Sequence, residues 1–120
     1  MQTKILIIED NEESAETLQL LLTLNGHEAR AATSGSAALA LLLEWIPDTI
    51  LCDIGLPEMD GYAVCRKIKA DPRLKACRLI ALTGYSADED VRRARDAGFD
   101  LHLVKPVDPA ELDRLLADRA

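Results

Sequence analysis

The chain is predicted to fold as an open α/β sheet, with parallel strands and helices on both faces. Two observations carry that prediction. Short apolar runs alternate five times with helical stretches, and the connections between them are short. Polar residues capable of chemistry then end four of the five runs: Glu9-Asp10, Asp53, Thr83 and Lys105. In a parallel sheet the carboxyl ends of all strands lie on one edge, and open α/β folds bind ligands there.

Each element has its own signal. Residues 4–8 form an isoleucine-rich strand stopped by Glu9, Asp10 and Asn11. Residues 12–25 have helical spacing, with Ala15, Leu18, Leu21, Leu22 and Leu24 largely on one side and Asn25-Gly26 as the stop. Residues 28–33 make a weak second strand; its Ala29, Ala31 and Ala32 predict an edge position or close helix packing. Ser34 or Ser36 caps a helix over 36–45, with Ala37, Leu41 and Trp45 as apolar positions and Pro47 marking its end. Residues 48–52 form the third strand, an unbroken apolar run suited to cover on both faces, and Asp53 stands at its tip. Asp60 caps a helix over 62–70, anchored by Val64, Cys65 and Ile68 and ended by Asp71-Pro72. Residues 77–82 are the fourth strand, closing at Thr83-Gly84. The helix over 88–97 is unusually polar, and only Val91, Ala94 and Ala97 give it a buried stripe. Residues 101–104 make the fifth strand, ended by Lys105-Pro106. Asp108 caps the last helix, Pro109 takes its first position, and Ala110, Leu112, Leu115 and Leu116 form its apolar side.

With 120 residues, 48% of them apolar, the chain is sized for one domain over 1–120 with an aliphatic core. A net charge of −7 argues against nonspecific nucleic-acid binding. Cys52, Cys65 and Cys77 form no C-x-x-C pair and read as reduced thiols of a cytoplasmic protein. Cys52 is expected in the core and His27 on the surface. The first apolar run is too short for a signal peptide, and no stretch approaches a membrane span.

Glu9, Asp10 and Asp53 would converge on one rim with Thr83 and Lys105. Crowded carboxylates repel unless a cation is present, and an oxygen-rich cluster suits Mg²⁺. Lys105 offers a mobile positive charge to a phosphoryl group, and Thr83 a hydroxyl donor. An aspartate such as Asp53 can itself attack phosphorus and form an acyl phosphate. Taken singly, Asp53 reads equally well as a capping residue, Lys105 as a solvent lysine and Thr83 as a helix cap. Taken together at the strand ends, they read as one site.

The segments Ile7-Ile8-Glu9-Asp10-Asn11, Asp53-Ile54-Gly55-Leu56-Pro57-Glu58-Met59-Asp60-Gly61, Ala81-Leu82-Thr83-Gly84 and Lys105-Pro106 carry a family resemblance. Over essentially its whole length the chain resembles the receiver domain of two-component response regulators, the CheY-like family. The resemblance implies a flavodoxin-like, doubly wound (βα)5 fold with sheet order 2-1-3-4-5. It implies that Asp53 takes a phosphoryl group from a histidine kinase or histidine phosphotransfer protein, with Mg²⁺, or Mn²⁺ in its place, as cofactor. Asp10 and Asp53 match the direct metal ligands, with the Gly55 carbonyl as a third, and Glu9 acts mostly through metal-bound water. Thr83 matches the switch hydroxyl, Lys105 the family's lysine and Pro106 its cis-proline. Glu9 departs from the commoner aspartate. His102 stands where a switch aromatic is often found, and an imidazole titrates near neutral pH. Gly55 has no side chain to steer attacking water, and Tyr85 partly covers the site. The wording around Thr83, Gly98 and Lys105 is most similar to receivers of hybrid sensor kinases. The family also favours the 88–116 face for homodimer or output contacts.

Two other classes compete with a phosphorylation-controlled switch. A constitutive protein-binding pseudo-receiver would not need the intact set Asp10, Asp53, Thr83 and Lys105. A small Mg²⁺-dependent phosphohydrolase would want a second acid where Gly55 stands. The expectation is therefore self-catalysed phosphotransfer and autodephosphorylation on Asp53, without turnover of an external substrate. A nucleotide-binding role is disfavoured, because no glycine-rich loop follows the first strand.

Overall fold

A computed structural model describes residues 3–56, 59–84 and 88–117, the side chains of 88–90 excepted. Five strands, β1 (Lys4–Ile8), β2 (Glu28–Ala32), β3 (Thr49–Asp53), β4 (Arg78–Thr83) and β5 (Leu101–Val104), alternate with five helices. The helices are α1 (Glu12–Leu24), α2 (Gly35–Leu41), α3 (Gly61–Ala70), α4 (Asp88–Ala97) and α5 (Pro109–Ala117), with one 3₁₀ turn at Pro72–Leu74. All strands pair in parallel in the order β2-β1-β3-β4-β5. This is the flavodoxin-like (βα)5 fold that the sequence predicts.

Strand alternation sorts the core into two layers. Ile5, Ile7, Leu51, Ile80 and Leu82 face α1 and α5, whose Leu18, Leu22, Leu112 and Leu116 cover them. Leu6, Ile8, Ile50, Cys52, Leu79 and Ala81 face the other way, with Ala38, Leu42, Val64, Ile68, Ala94 and Ala97 packed over them. β3 is buried at every position, as its unbroken apolar run requires. β2 is an edge strand, consistent with its run of alanines.

Caps fix where the helices begin. Asn11, Ser34 and Asp60 each accept a hydrogen bond from an amide three residues on, and Asp108 accepts from Ala110. Ser34, rather than Ser36, therefore caps α2. That helix ends at Leu41 instead of Trp45, because the chain tightens through Leu43 N–H to Ala40 O and Glu44 N–H to Leu41 O ahead of Pro47. Its buried residues are Gly35 and Ala38, with the buried Leu42 just past its end, while Ala37 is exposed. α1 buries Ala15, Leu18 and Leu22, but Leu24 is 72% exposed and falls off the predicted face. Ala110 is exposed at the start of α5. His27 is half-buried, and its Nδ1 accepts from Thr3 N–H. All three cysteines are buried. Among the described residues no helix is long and apolar enough to cross a membrane.

Candidate phosphoacceptor and metal site

Strand register brings the predicted residues together. Ile8 pairs with Cys52, so Glu9 and Asp53 stand side by side one step further along. Thr83 pairs with Val104, which sets Lys105 beyond the end of β5. Alternation then directs Glu9, Asp53 and Lys105 to the same side of the sheet, that of α1 and α5. Lys105 Nζ donates to Glu9 Oε1 at 2.8 Å and to Asp53 Oδ2 at 3.1 Å. The Lys105–Pro106 peptide bond is cis. Asp53 Oδ1 accepts the Gly55 amide at 2.9 Å, so Gly55 serves the acceptor with its backbone.

Burial and charge act on this group in opposite directions. Burial pushes the Glu9 carboxyl up, the neighbouring Asp53 carboxylate adds to the rise, and Lys105 opposes it, leaving the value at about 7. Burial also pushes Asp53 up, but the adjacent Glu9 carboxyl, the Gly55 amide and Lys105 outweigh it and hold Asp53 below the usual aspartate range. Burial would lower Lys105, yet Glu9 and Asp53 raise it. The two carboxyls are thus driven apart, Glu9 becoming the weaker acid and Asp53 the stronger.

The site has the donors a hard cation takes. Glu9, Asp10 and Asp53 offer carboxylate oxygens that all lie within 4.8 Å of one another. Among the described residues Glu9 Oε2 is buried without a hydrogen-bond partner. An all-oxygen set with one orphaned buried oxygen fits Mg²⁺.

The other predicted residues divide. Thr83 is 6% exposed at the end of β4, and its carbonyl accepts the Lys105 amide at 2.7 Å. His102 is exposed on β5 and pairs with Ala81, so it belongs to the α4 face and not to the carboxylate cluster. Tyr85 lies outside the described residues. One feature escaped the sequence: a groove of about 710 Å³ runs from Glu9 and Lys105 along Ser14, Thr17 and Leu21 of α1 to Pro106 and Val107.

Comparison with known proteins agrees with this geometry. The model of the response regulator receiver domain matches residues 5–117. The transcriptional regulatory protein AfsQ1 of Streptomyces coelicolor is 40% identical over 109 residues, which cover 91% of this chain and 47% of AfsQ1. The chain thus spans about half the length of that relative. A putative response regulator from Chloroflexus aurantiacus superposes with a TM-score of 0.92 at 32% identity, covering 98% of this chain and 97% of that one. The receiver domain of the Pseudomonas aeruginosa sensor histidine kinase PA1611, with a magnesium ion coordinated in its active-site cleft, gives a TM-score of 0.87 at 31% identity, covering 97% and 95%. With the family model covering nearly all of it and the acidic cluster at the expected sheet edge, the chain belongs to the response regulator receiver domain family.

Proposed function

We propose that Asp53 is the phosphoacceptor of a two-component or phosphorelay switch. The observation that carries this reading is a charged Asp53 at the sheet edge, 3.1 Å from Lys105 Nζ and clustered with Glu9 and Asp10. An Asp53 carboxylate oxygen attacks the phosphorus of a phosphohistidine, the N–P bond breaks, and the imidazole leaves with its electron pair and takes up a proton. Asp10, Asp53 and the Gly55 carbonyl, with Glu9 through water, would hold Mg²⁺, which supplies positive charge to the phosphoryl oxygens. Lys105 leaves its carboxylate partners to bind a phosphoryl oxygen, and Thr83 donates its hydroxyl to another. His102 and Tyr85 are the candidate residues that report the state of the site to the α4 and β5 surface.

The donor is a histidine kinase or histidine phosphotransfer protein, and the groove beside α1, which reaches Glu9 and Lys105, is its proposed approach. The wording around Thr83, Gly98 and Lys105 favours a hybrid-kinase setting, and the 88–116 face is the proposed output or homodimer surface. The unit of function is the single domain 1–120. Intact mass after incubation with Mg²⁺ and acetyl phosphate tests the reading. One added phosphoryl group, labile to hydroxylamine and lost in Asp53→Asn, is expected. No added mass from acetyl phosphate or from any phosphohistidine donor overturns it.

A further inference from the structure

Helix α4 is held differently along its length. At its C-terminal end Cys65 Sγ donates to the Ala97 carbonyl at 3.4 Å, and Lys69 Nζ reaches Asp100 at 3.6 Å. Gly98 adopts φ 118°, and a Cβ there would meet Lys69 Cγ at 2.9 Å, so that corner is tightly fitted. Further up the helix the apolar stripe thins to Ala94 and the half-buried Val91. There Arg93 lays its guanidinium over the Tyr62 ring, with Cζ 4.3 Å from the centroid. Tyr62 is 4% exposed while Arg93 is exposed, so the ring is the fixed partner.

Tyr62 is also joined to the acceptor loop. Gly61, directly before it, donates to the Ile54 carbonyl at 2.9 Å. A Cβ on Gly61 would lie 2.6 Å from the Asp53 carbonyl oxygen, so the two backbones are in direct contact. A route of touching groups therefore runs from Asp53 through Gly61 and Tyr62 to Arg93 on α4. It bypasses Thr83 and β5.

We propose that Tyr62 and Arg93 are a positioning pair that couples the state of Asp53 to the placement of α4. The proposal rests on the reading of Asp53 as phosphoacceptor. A phosphoryl group on Asp53 adds charge beside the loop that Gly61 closes, and any shift of that backbone carries Tyr62 with it. The helix, anchored around Ala97–Asp100, then follows through the stacked cation.

Amide hydrogen exchange over residues 91–97, with and without Mg²⁺ and beryllofluoride, reads the state of α4. Intact mass after acetyl phosphate, on the same preparations, scores phosphorylation of Asp53 separately. In the wild type, exchange over 91–97 changes when Asp53 is loaded. Arg93→Gln and Tyr62→Leu are expected to lose that change and to exchange about two- to fivefold faster before loading, the scale of one exposed cation–π contact. Both still accept the phosphoryl group. Arg93→Lys and Tyr62→Phe, which keep a cation and a ring, retain the response, and the double variant is no worse than either single one. A purely structural contact would change the exchange before loading but leave the loading-induced change intact in every variant. The proposal is overturned if Arg93→Gln responds like the wild type, or if α4 stays unchanged while Asp53 is loaded. Should Tyr62→Leu fail to fold, the exposed Arg93 variants decide the matter. No loading of wild-type Asp53 by either reagent removes the phosphoacceptor reading, and the pair's role with it.

Discussion

Glu9 is 2% exposed, accepts from Lys105 on one oxygen and, among the described residues, has no partner on the other. Burial beside Asp53 raises it to about 7, so in the cation-free protein it holds a proton near neutrality. A divalent cation held beside Glu9, through water, favours the ionised carboxylate and displaces that proton. Mg²⁺ binding is therefore expected to release close to one proton at about pH 6 and almost none at about pH 8.5, with affinity rising by up to roughly tenfold per pH unit below neutrality. Calorimetry in buffers of different ionisation enthalpy measures the release, and Glu9→Gln should abolish it. An affinity that is flat across this range would mean that Glu9 is already ionised. The sequence showed Glu9 as an acid at a strand end. It could not show the proton, which depends on burial and on Lys105, 96 positions away.

The acceptor loop between β3 and α3 shows how an element depends on one missing side chain. A Cβ on Gly61 would meet the Asp53 carbonyl oxygen at 2.6 Å and Ile54 Cα at 2.7 Å, both backbone atoms that cannot swing aside. Gly61→Ala is thus expected to cost ~3 kcal/mol by overpacking. The same displacement should slow phosphorylation of Asp53 by on the order of 10- to 100-fold, since the reacting group shifts. Gly55→Ala is the contrast: its Cβ meets Asp53 Oδ1 at an ordinary 3.7 Å, so stability should stay within about 0.5 kcal/mol. Urea melts and acetyl phosphate kinetics on the two variants measure both effects, and equal losses in both would contradict this account. Elements with a strong local signal were legible: Asp60 as a cap, β3 as a fully buried strand, and the thin stripe of α4. The length of α2 was not. Its apolar run continues past Leu41, but the buried Trp45 is held by Arg30, 4.5 Å from the ring, on a neighbouring strand. No helical period reports a contact of that kind.

At the scale of the whole molecule, the sheet separates two apolar layers and carries its polar cluster on one edge. The strand order followed only from the family resemblance, whereas the functional edge was legible because the polar residues fall at the ends of the apolar runs. The groove beside α1 was not, because it exists only between elements remote in sequence. The polar edge has a consequence for stability. Below about pH 4.5 Glu9 is protonated in both folded and unfolded chains, and its favourable contribution is complete. Between about 4.5 and about 7 the folded chain keeps a proton that the unfolded chain has lost, so stability must fall as the pH rises. Asp53 is shifted downward and acts in the opposite sense, with its contribution lost only in acid below the usual aspartate value of 3.8. Lys105 is shifted upward, and its contribution declines only above its ordinary value of 10.5. Neither masks the Glu9 window. Urea unfolding of the metal-free protein should lose on the order of 1–3 kcal/mol between about pH 5 and about pH 7.5. Saturating Mg²⁺ should cancel or reverse that slope, because the cation binds the deprotonated folded state. Glu9→Gln should be nearly flat over the same range. If the metal-free wild type instead gains stability as the pH rises, the proton is not on Glu9, and the charge balance at the site has to be redrawn around an ionised pair held by Lys105.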